Sequence, residues 1–243
     1  MESMRECNMK KIICKNYDEM SKAAAKIVEA QVILKPNSIL GLATGSSPVG
    51  MYKELIASGT DFSEVTTFNL DEYYPLAKDN DQSYDYFMRK NLFDHIKVKE
   101  TNIPNGMAED AEAECARYDA AIEAAGGIDL QVLGIGVNGH IGFNEPADAL
   151  PANTNKVTLT ESTIEANSRF FESKDQVPTA ALTLGIGGIM KAKRIVVLAS
   201  GKSKAPIIKE LFYGKVTTNV PVSLLQLHPD ATIVMDEEAA SLL

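Results

Sequence analysis

The sequence predicts a single α/β domain over residues 1–243, doubly wound around a mostly parallel sheet with helices on both faces. Three observations lead there. Strand-like and helix-like segments alternate from end to end, the pattern of a parallel sheet crossed by helices. Runs such as VLGIG and IVVLA are apolar throughout, as strands buried on both faces should be. The chain's 243 residues, 45% hydrophobic, can bury one sizeable core, and no repeat, low-complexity tract or linker divides them.

Taken in order, KIICKN reads as the first strand and YDEMSKAAAKIVEAQVILK as a helix with apolar residues three and four apart. SILGLA (strand), SPVGMYKELIAS (helix) and VTTFNL (strand) follow. SYDYFMRKNLFDHI and DAEAECARYDAAIEAAGG read as helices, the second closed by its glycines. IDLQVLGIG and NKVTLT read as strands, and STIEANSRFFES as a helix begun by a Ser/Thr cap. TAALTL, RIVVLAS and ATIVMD are further strands. KSKAPIIKELFYG is helical, with Pro206 near its start where a missing N–H is tolerated, as are PVSLLQL and the terminal DEEAASLL. Residues 150–178 are the segment expected to project as a lid.

Composition narrows the function. A formal net charge of −9 argues against nucleic acid as a partner, because phosphate-backbone binding needs a basic face. It leaves room for a small phosphorylated ligand, which needs only a few local cations and backbone N–H groups. No apolar stretch approaches the roughly 20 residues that cross a bilayer, and MESMRECNMKK has no apolar stretch after its charges, so a cytoplasmic, membrane-free protein is expected. Cys7, Cys14 and Cys115 are odd in number and far apart, which fits reduced thiols better than a disulfide frame or a metal site.

In an open parallel sheet, ligands bind beyond the carboxyl ends of the strands. Four such ends carry chemistry here: Thr44-Gly45-Ser46-Ser47 after SILGLA, Asp71-Glu72 after VTTFNL, Asn138-Gly139-His140 with Glu145 after IDLQVLGIG, and Gly201-Lys202-Ser203-Lys204 after RIVVLAS. The first could cradle an anion, through serine hydroxyls and N–H groups at a helix N-terminus, or be a plain serine cap. Lys204 beyond a second strand favours a phosphate or carboxylate site. Asp71 is a candidate general base if partial burial raises its pKa, although Asp71 or Glu72 could instead cap the turn before Pro75. His140 lies in a glycine-rich loop with Glu145 to fix its tautomer, whereas His95 and His228 read as structural or solvent-facing.

Gly134, Gly136 and Gly139 match G-x-G-x-x-G, the turn that cradles a dinucleotide. The context does not. A helix should open at the third glycine, yet HIGFNEP is a poor helix, and the turn-rich PADALPANTN lacks a strand ending in a lone acid.

The ordered motifs TGSSP, FNLDEYY, LGIGVNGHIGFNEP, ANSRFF and GKSKA resemble the glucosamine-6-phosphate deaminases from about residue 10 to the C-terminus. The resemblance implies a modified Rossmann-like fold and cofactor-independent conversion of glucosamine 6-phosphate and water to fructose 6-phosphate and ammonia. Carried over by position, Asp71 would move a proton from carbon 2 to carbon 1, His140 would open the sugar ring, and Glu145 would hold and tune that histidine. Arg169, Lys204, Ser46 and Ser47, with Thr44 and Gly45 in the same loop, would hold the phosphate, and no metal is implied. Two departures stand out. Asn138 replaces an aspartate that some members carry, so it brings a hydrogen-bond acceptor without charge. Asn155 and Val157 stand where larger allosteric members have cations, which speaks against activation by N-acetylglucosamine 6-phosphate and fits a monomer while leaving a homo-oligomer open. A sugar-phosphate lactonase or isomerase on the same fold (6-phosphogluconolactonase-like), and a non-catalytic sugar-phosphate sensor, are the alternatives.

Overall fold

The computed structural model describes residues 9–159 and 177–243. Along the chain it forms β1 (Lys10–Cys14), α1 (Tyr17–Leu34), β2 (Ile39–Leu42), α2 (Val49–Ser58), β3 (Thr66–Asn69) and β4 (Asp71–Tyr74). Next come α3 (Tyr84–Met88), which runs into a π-helical turn (Arg89–Phe93), then β5 (Glu100–Asn102), α4 (Ala111–Ala124) and β6 (Leu130–Gly134). The second half holds β7 (Asn155–Thr158), β8 (Ala180–Thr183), α5 (Ile186–Met190) and β9 (Ile195–Ala199). A 3₁₀ turn (Lys202–Lys204) leads into α6 (Ala205–Tyr213), and a 3₁₀ segment (Pro221–Leu227) precedes β10 (Ala231–Asp236).

Seven strands form one wholly parallel sheet in the order β1-β10-β9-β6-β2-β3-β5. Its strands show why the apolar runs do not alternate. In β9, Ile195, Val197 and Ala199 face a core that α4 and α6 cover through Tyr118, Ile208, Leu211 and Phe212. Val196 and Leu198 face the opposite core, covered by Met20, Ala24 and Val28 of α1 and Met51, Tyr52 and Leu55 of α2. Successive side chains point to opposite faces, and both faces are dry.

The strand order reverses between β2 and β6. From β2 the chain steps outward to β3 and β5; from β6 it steps the other way to β9 and β10. Connections leaving the carboxyl ends of β2 and β6 diverge there, the position at which open α/β sheets bind their ligands.

A second sheet, antiparallel with order β4-β8-β7, is the main feature that sequence reading did not separate. DEYY reads as polar residues after a strand, but it is itself a strand, parted from β3 by Leu70 alone. Leu70 belongs to both sheets: its N–H donates to Leu42 O at 3.0 Å and its carbonyl accepts from Leu184 N at 2.7 Å.

Several local expectations change. The expected helix over SYDYFMRKNLFDHI is a short α-helix plus a π-turn. DEEAASLL forms successive turns instead of a helix, although the Asp236 carboxylate takes the Ala239 N–H as a helix cap would. Helix α2 begins at Val49 behind Pro48 with no side-chain cap, so the serine-cap reading of TGSSP is not what forms. Strand β5 and helix α5 are too short for periodicity to reveal. The expected helix STIEANSRFFES and most of the expected lid, residues 160–176, lie outside the described residues. Among the described residues no helix is long and apolar enough to cross a membrane.

Candidate active site

The carboxyl end of β6 collects three of the candidate groups on three consecutive residues. Gly134 faces Ser47: a side chain there would begin 3.9 Å from the Ser47 Cβ and Oγ. The Ile135 carbonyl accepts from Lys204 Nζ at 2.6 Å. Gly136 lies against the His140 imidazole so closely that a β-carbon would fall 2.3 Å from its Cε1 and Nδ1. This second glycine of the G-x-G-x-x-G match serves the histidine. The turn itself closes through Gly139, at φ +88°, whose N–H donates to Gly136 O at 3.0 Å. No helix opens there, as expected from HIGFNEP.

The loop after β2 supplies Thr44, Gly45, Ser46 and Ser47 at the reversal of strand order, immediately before α2. Lys204 approaches the same strand end from the turn after β9. It is half-buried, and loss of solvent lowers the pKa of its ammonium. Among the described residues no carboxylate pairs with it, and the Ile135 bond occupies one of its three N–H donors. Arg169, the remaining expected phosphate ligand, lies outside the described residues.

His140, Asn138 and Glu145 form a connected chain. Asn138 Nδ2 donates to Glu145 Oε2 at 2.7 Å. A carboxylate only accepts, so this bond turns Asn138 Oδ1 toward the imidazole, 2.7 Å from His140 Nδ1. Oδ1 also takes the His140 backbone N–H at 3.2 Å. In the neutral ring Nδ1 therefore carries the proton and Nε2 the lone pair. Glu145 also lies 3.4 Å from Nδ1, and its hydrogen bonding with His140 holds its carboxyl below the usual range. Asn138, expected as an uncharged acceptor, is the link between the imidazole and Glu145.

Asp71 stands at the first position of β4, 6% exposed. Burial, with a smaller contribution from the Glu72 charge, pushes its pKa up to about 8. Its surroundings are Thr183, its cross-strand partner on β8, and the backbone of Gly142, where a β-carbon would lie 3.5 Å from Asp71 Oδ2 and 3.1 Å from Thr183 Oγ1. Among the described residues no hydrogen bond reaches the Asp71 carboxylate. Glu72 differs: its Oε1 accepts the N–H groups of Tyr73 and Tyr84 at 2.9 Å each, and its Oε2 that of Asp85 at 3.0 Å. Of the two neighbours, Glu72 holds the Tyr84 and Asp85 N–H groups at the start of α3, beside the Ser83 N-cap, and Asp71 is left for chemistry. The loop 136–145 thus runs from the Lys204 and Ser47 end to the Asp71 end.

Other candidates recede. His228 is buried and bonded on both ring nitrogens, to Ala192 O at 2.8 Å and Asp230 N at 3.1 Å. His95 bonds Lys90 O at the surface. Burial raises the thiol pKa of Cys14, and of Cys115 to about 11, so neither is an activated nucleophile.

The chain is similar to known proteins over nearly its whole length. Glucosamine-6-phosphate deaminases of Thermoanaerobacter pseudethanolicus and Clostridioides difficile are 60% and 57% identical to it, covering 97% and 96% of this chain and 95% and 96% of their own lengths. The solved structure of a monomeric glucosamine-6-phosphate deaminase superposes with a TM-score of 0.91 at 45% identity, covering 97% of this chain and all of that one. The 6-phosphogluconolactonase of Trypanosoma cruzi shares the fold, at TM-score 0.81 and 18% identity over all of this chain and 99% of its own. The model of the glucosamine-6-phosphate isomerases/6-phosphogluconolactonase family matches residues 15–234. On that match and those identities, the chain belongs to this family.

Proposed function

We propose that this protein is a glucosamine-6-phosphate deaminase, converting glucosamine 6-phosphate and water to fructose 6-phosphate and ammonia without a cofactor, and that Asp71, His140, Asn138 and Glu145 carry the chemistry. The observation behind the assignment is that one loop, residues 136–145, carries an imidazole and passes at Gly142 beside a second proton carrier on β4, a buried carboxylate whose pKa is about 8. The reaction needs two. The proton on carbon 2 becomes removable only after the ring opens and carbon 1 is a carbonyl.

In this reading the phosphate is held by Lys204, Ser46, Ser47 and the backbone of Thr44 and Gly45, with Arg169 as a further cation. His140 Nε2 takes the proton from the hydroxyl on carbon 1 and returns it to the ring oxygen, so the ring opens without net proton change. Asn138 holds the Nδ1 proton in place, and Glu145 stabilises the imidazolium formed in passing. Asp71 then removes the carbon 2 proton while a proton passes from the substrate's ammonium group to the carbon 1 oxygen, giving an enolamine, and the Asp71 carboxyl delivers its proton to carbon 1. The resulting imine at carbon 2 adds water, and ammonia leaves with the electron pair of the broken C–N bond. A base with pKa near the working pH is suited to both removing and returning a proton. Phosphate held at the far end orients the reacting carbons with binding energy made away from them.

Clean protein incubated with glucosamine 6-phosphate should release ammonia and fructose 6-phosphate in equal amounts; no turnover would overturn the reading. In heavy water, the wild type should place deuterium at carbon 1, and Asp71→Asn should still bind the sugar phosphate but lose that exchange. A monomer is the solution state this reading expects, as in the structurally similar deaminase described as monomeric.

A further inference from the structure

The loop between β2 and α2 has to keep its donors aimed at an anion, yet its own sequence does little to hold it. Gly45, at φ +90°, has nothing within 4 Å of where a side chain would begin. Pro48 starts α2 with no side-chain cap bond. The restraint comes from a different helix, 29 residues away in sequence. Tyr17, the first residue of α1, donates its hydroxyl proton to the Ser46 carbonyl at 2.9 Å and accepts the Gly50 N–H at 2.8 Å. A phenol can do both at once, so one side chain ties the two ends of the Ser46–Gly50 segment. Gly50 makes this approach possible, since a β-carbon there would fall 2.2 Å from Ser21 Oγ and 2.8 Å from Tyr17 Cε1.

The tie has a directional consequence. A trans peptide is planar, with its C=O and the following N–H pointing opposite ways. Turning the Ser46 carbonyl toward Tyr17 therefore turns the Ser47 N–H away from it. Ser47 is the residue of the loop that faces the end of β6, where Lys204 arrives. The Gly50 bond meanwhile takes one of the N–H groups that the first turn of α2 leaves without a partner.

We propose that Tyr17 is a positioning residue of the phosphate site, its hydroxyl strapping the loop after β2 so that the Ser47 N–H and hydroxyl stay aimed at the phosphate. The proposal rests on the phosphate reading of that loop. Tyr17 acts through Ser47 and touches neither the sugar nor the reacting carbons, so its removal weakens binding and leaves proton transfer alone.

The test is Tyr17→Phe in the full chain, which deletes one oxygen and keeps the ring against its apolar neighbours. KM for glucosamine 6-phosphate should rise about three- to tenfold, the worth of one neutral hydrogen bond, while kcat stays within about twofold, the signature of lost binding alone. The inhibition constant of inorganic phosphate should rise by the same factor. Combined with Ser47→Ala, which removes the hydroxyl and leaves the N–H, Tyr17→Phe should still raise KM, because the strap sets the direction of that N–H. A lowered melting temperature with KM and phosphate inhibition unchanged would refute the strap and leave Tyr17 a packing residue, and so would a fall in kcat at constant KM. Ser47→Ala and Lys204→Ala separate the two levels. If they raise KM and Tyr17→Phe does not, the strap alone fails; if neither raises KM, the phosphate reading fails and the strap with it.

Discussion

Asp71→Asn should stabilise the folded protein while abolishing turnover, and the stabilisation should grow with pH. The Asp71 carboxyl has an ordinary value of 3.8 and about 8 in the fold, because burial disfavours its charge. Between those values the unfolded chain has released the proton and the folded chain keeps it. The folded state then binds more protons, so stability falls as pH rises through this window. The slope is about 1.4 kcal/mol per pH unit. From pH 5 to pH 7.5 the wild type therefore loses about 3 kcal/mol that a neutral amide of nearly the same volume does not lose. For a domain of this size that is a melting-temperature gap widening by about 6–12 °C. The assay is a pair of melts, wild type beside Asp71→Asn, at pH 5, 6 and 7.5. Titrating groups that do not interact with Asp71 are common to both proteins and cancel in the difference; the adjacent Glu72 charge, a smaller cause of the Asp71 shift, does not cancel fully. A gap that stays constant with pH, or narrows, would mean that Asp71 is charged in the resting fold, and would refute the reasoning about its burial.

Gly136→Ala should leave the circular dichroism spectrum intact but lower kcat/KM about 100-fold, the scale of a 1 Å displacement of a catalytic group, because the imidazole of His140 must move off the new methyl. Asn138→Ala should cost about 10- to 100-fold in kcat by freeing the Nδ1 proton, whereas Asn138→Asp, which keeps an acceptor there, should retain most of the activity; equal losses would argue against a tautomer-setting role. Glu72→Ala should lower unfolding free energy in urea at pH 5 by about 1–2 kcal/mol, since three N–H groups lose their acceptor; an unchanged midpoint would refute its role in holding the start of α3.

The sheet was legible because burial on both faces writes itself into composition: IVVLA can be little else than a central parallel strand. The site was legible where it follows such strands, since Ser47, His140 and Lys204 all sit at strand ends and meet on residues 134–136. What stayed hidden was non-local. Choosing between Asp71 and Glu72 required knowing that the N-terminus of α3 folds back onto Glu72, 12 and 13 residues distant. Tyr17 carries no local mark of its two bonds to the loop after β2. The small sheet was not separated for a related reason: β4 follows β3 after Leu70 alone, with no turn between them to read as a boundary.

The single residue between β3 and β4 makes chain length there a functional quantity. Leu70 is fixed to both sheets through its own peptide groups, so the segment has no slack to absorb an added or deleted residue. Because side chains alternate along a strand, one extra residue before Asp71 would present the neighbouring side chain to Gly142 and Thr183 and send the carboxylate to the other face. Two would restore the face but shift Asp71 by about 7 Å. Surface loops of this protein can vary in length as the chain diverges; the join at Leu70 can change only in sequence.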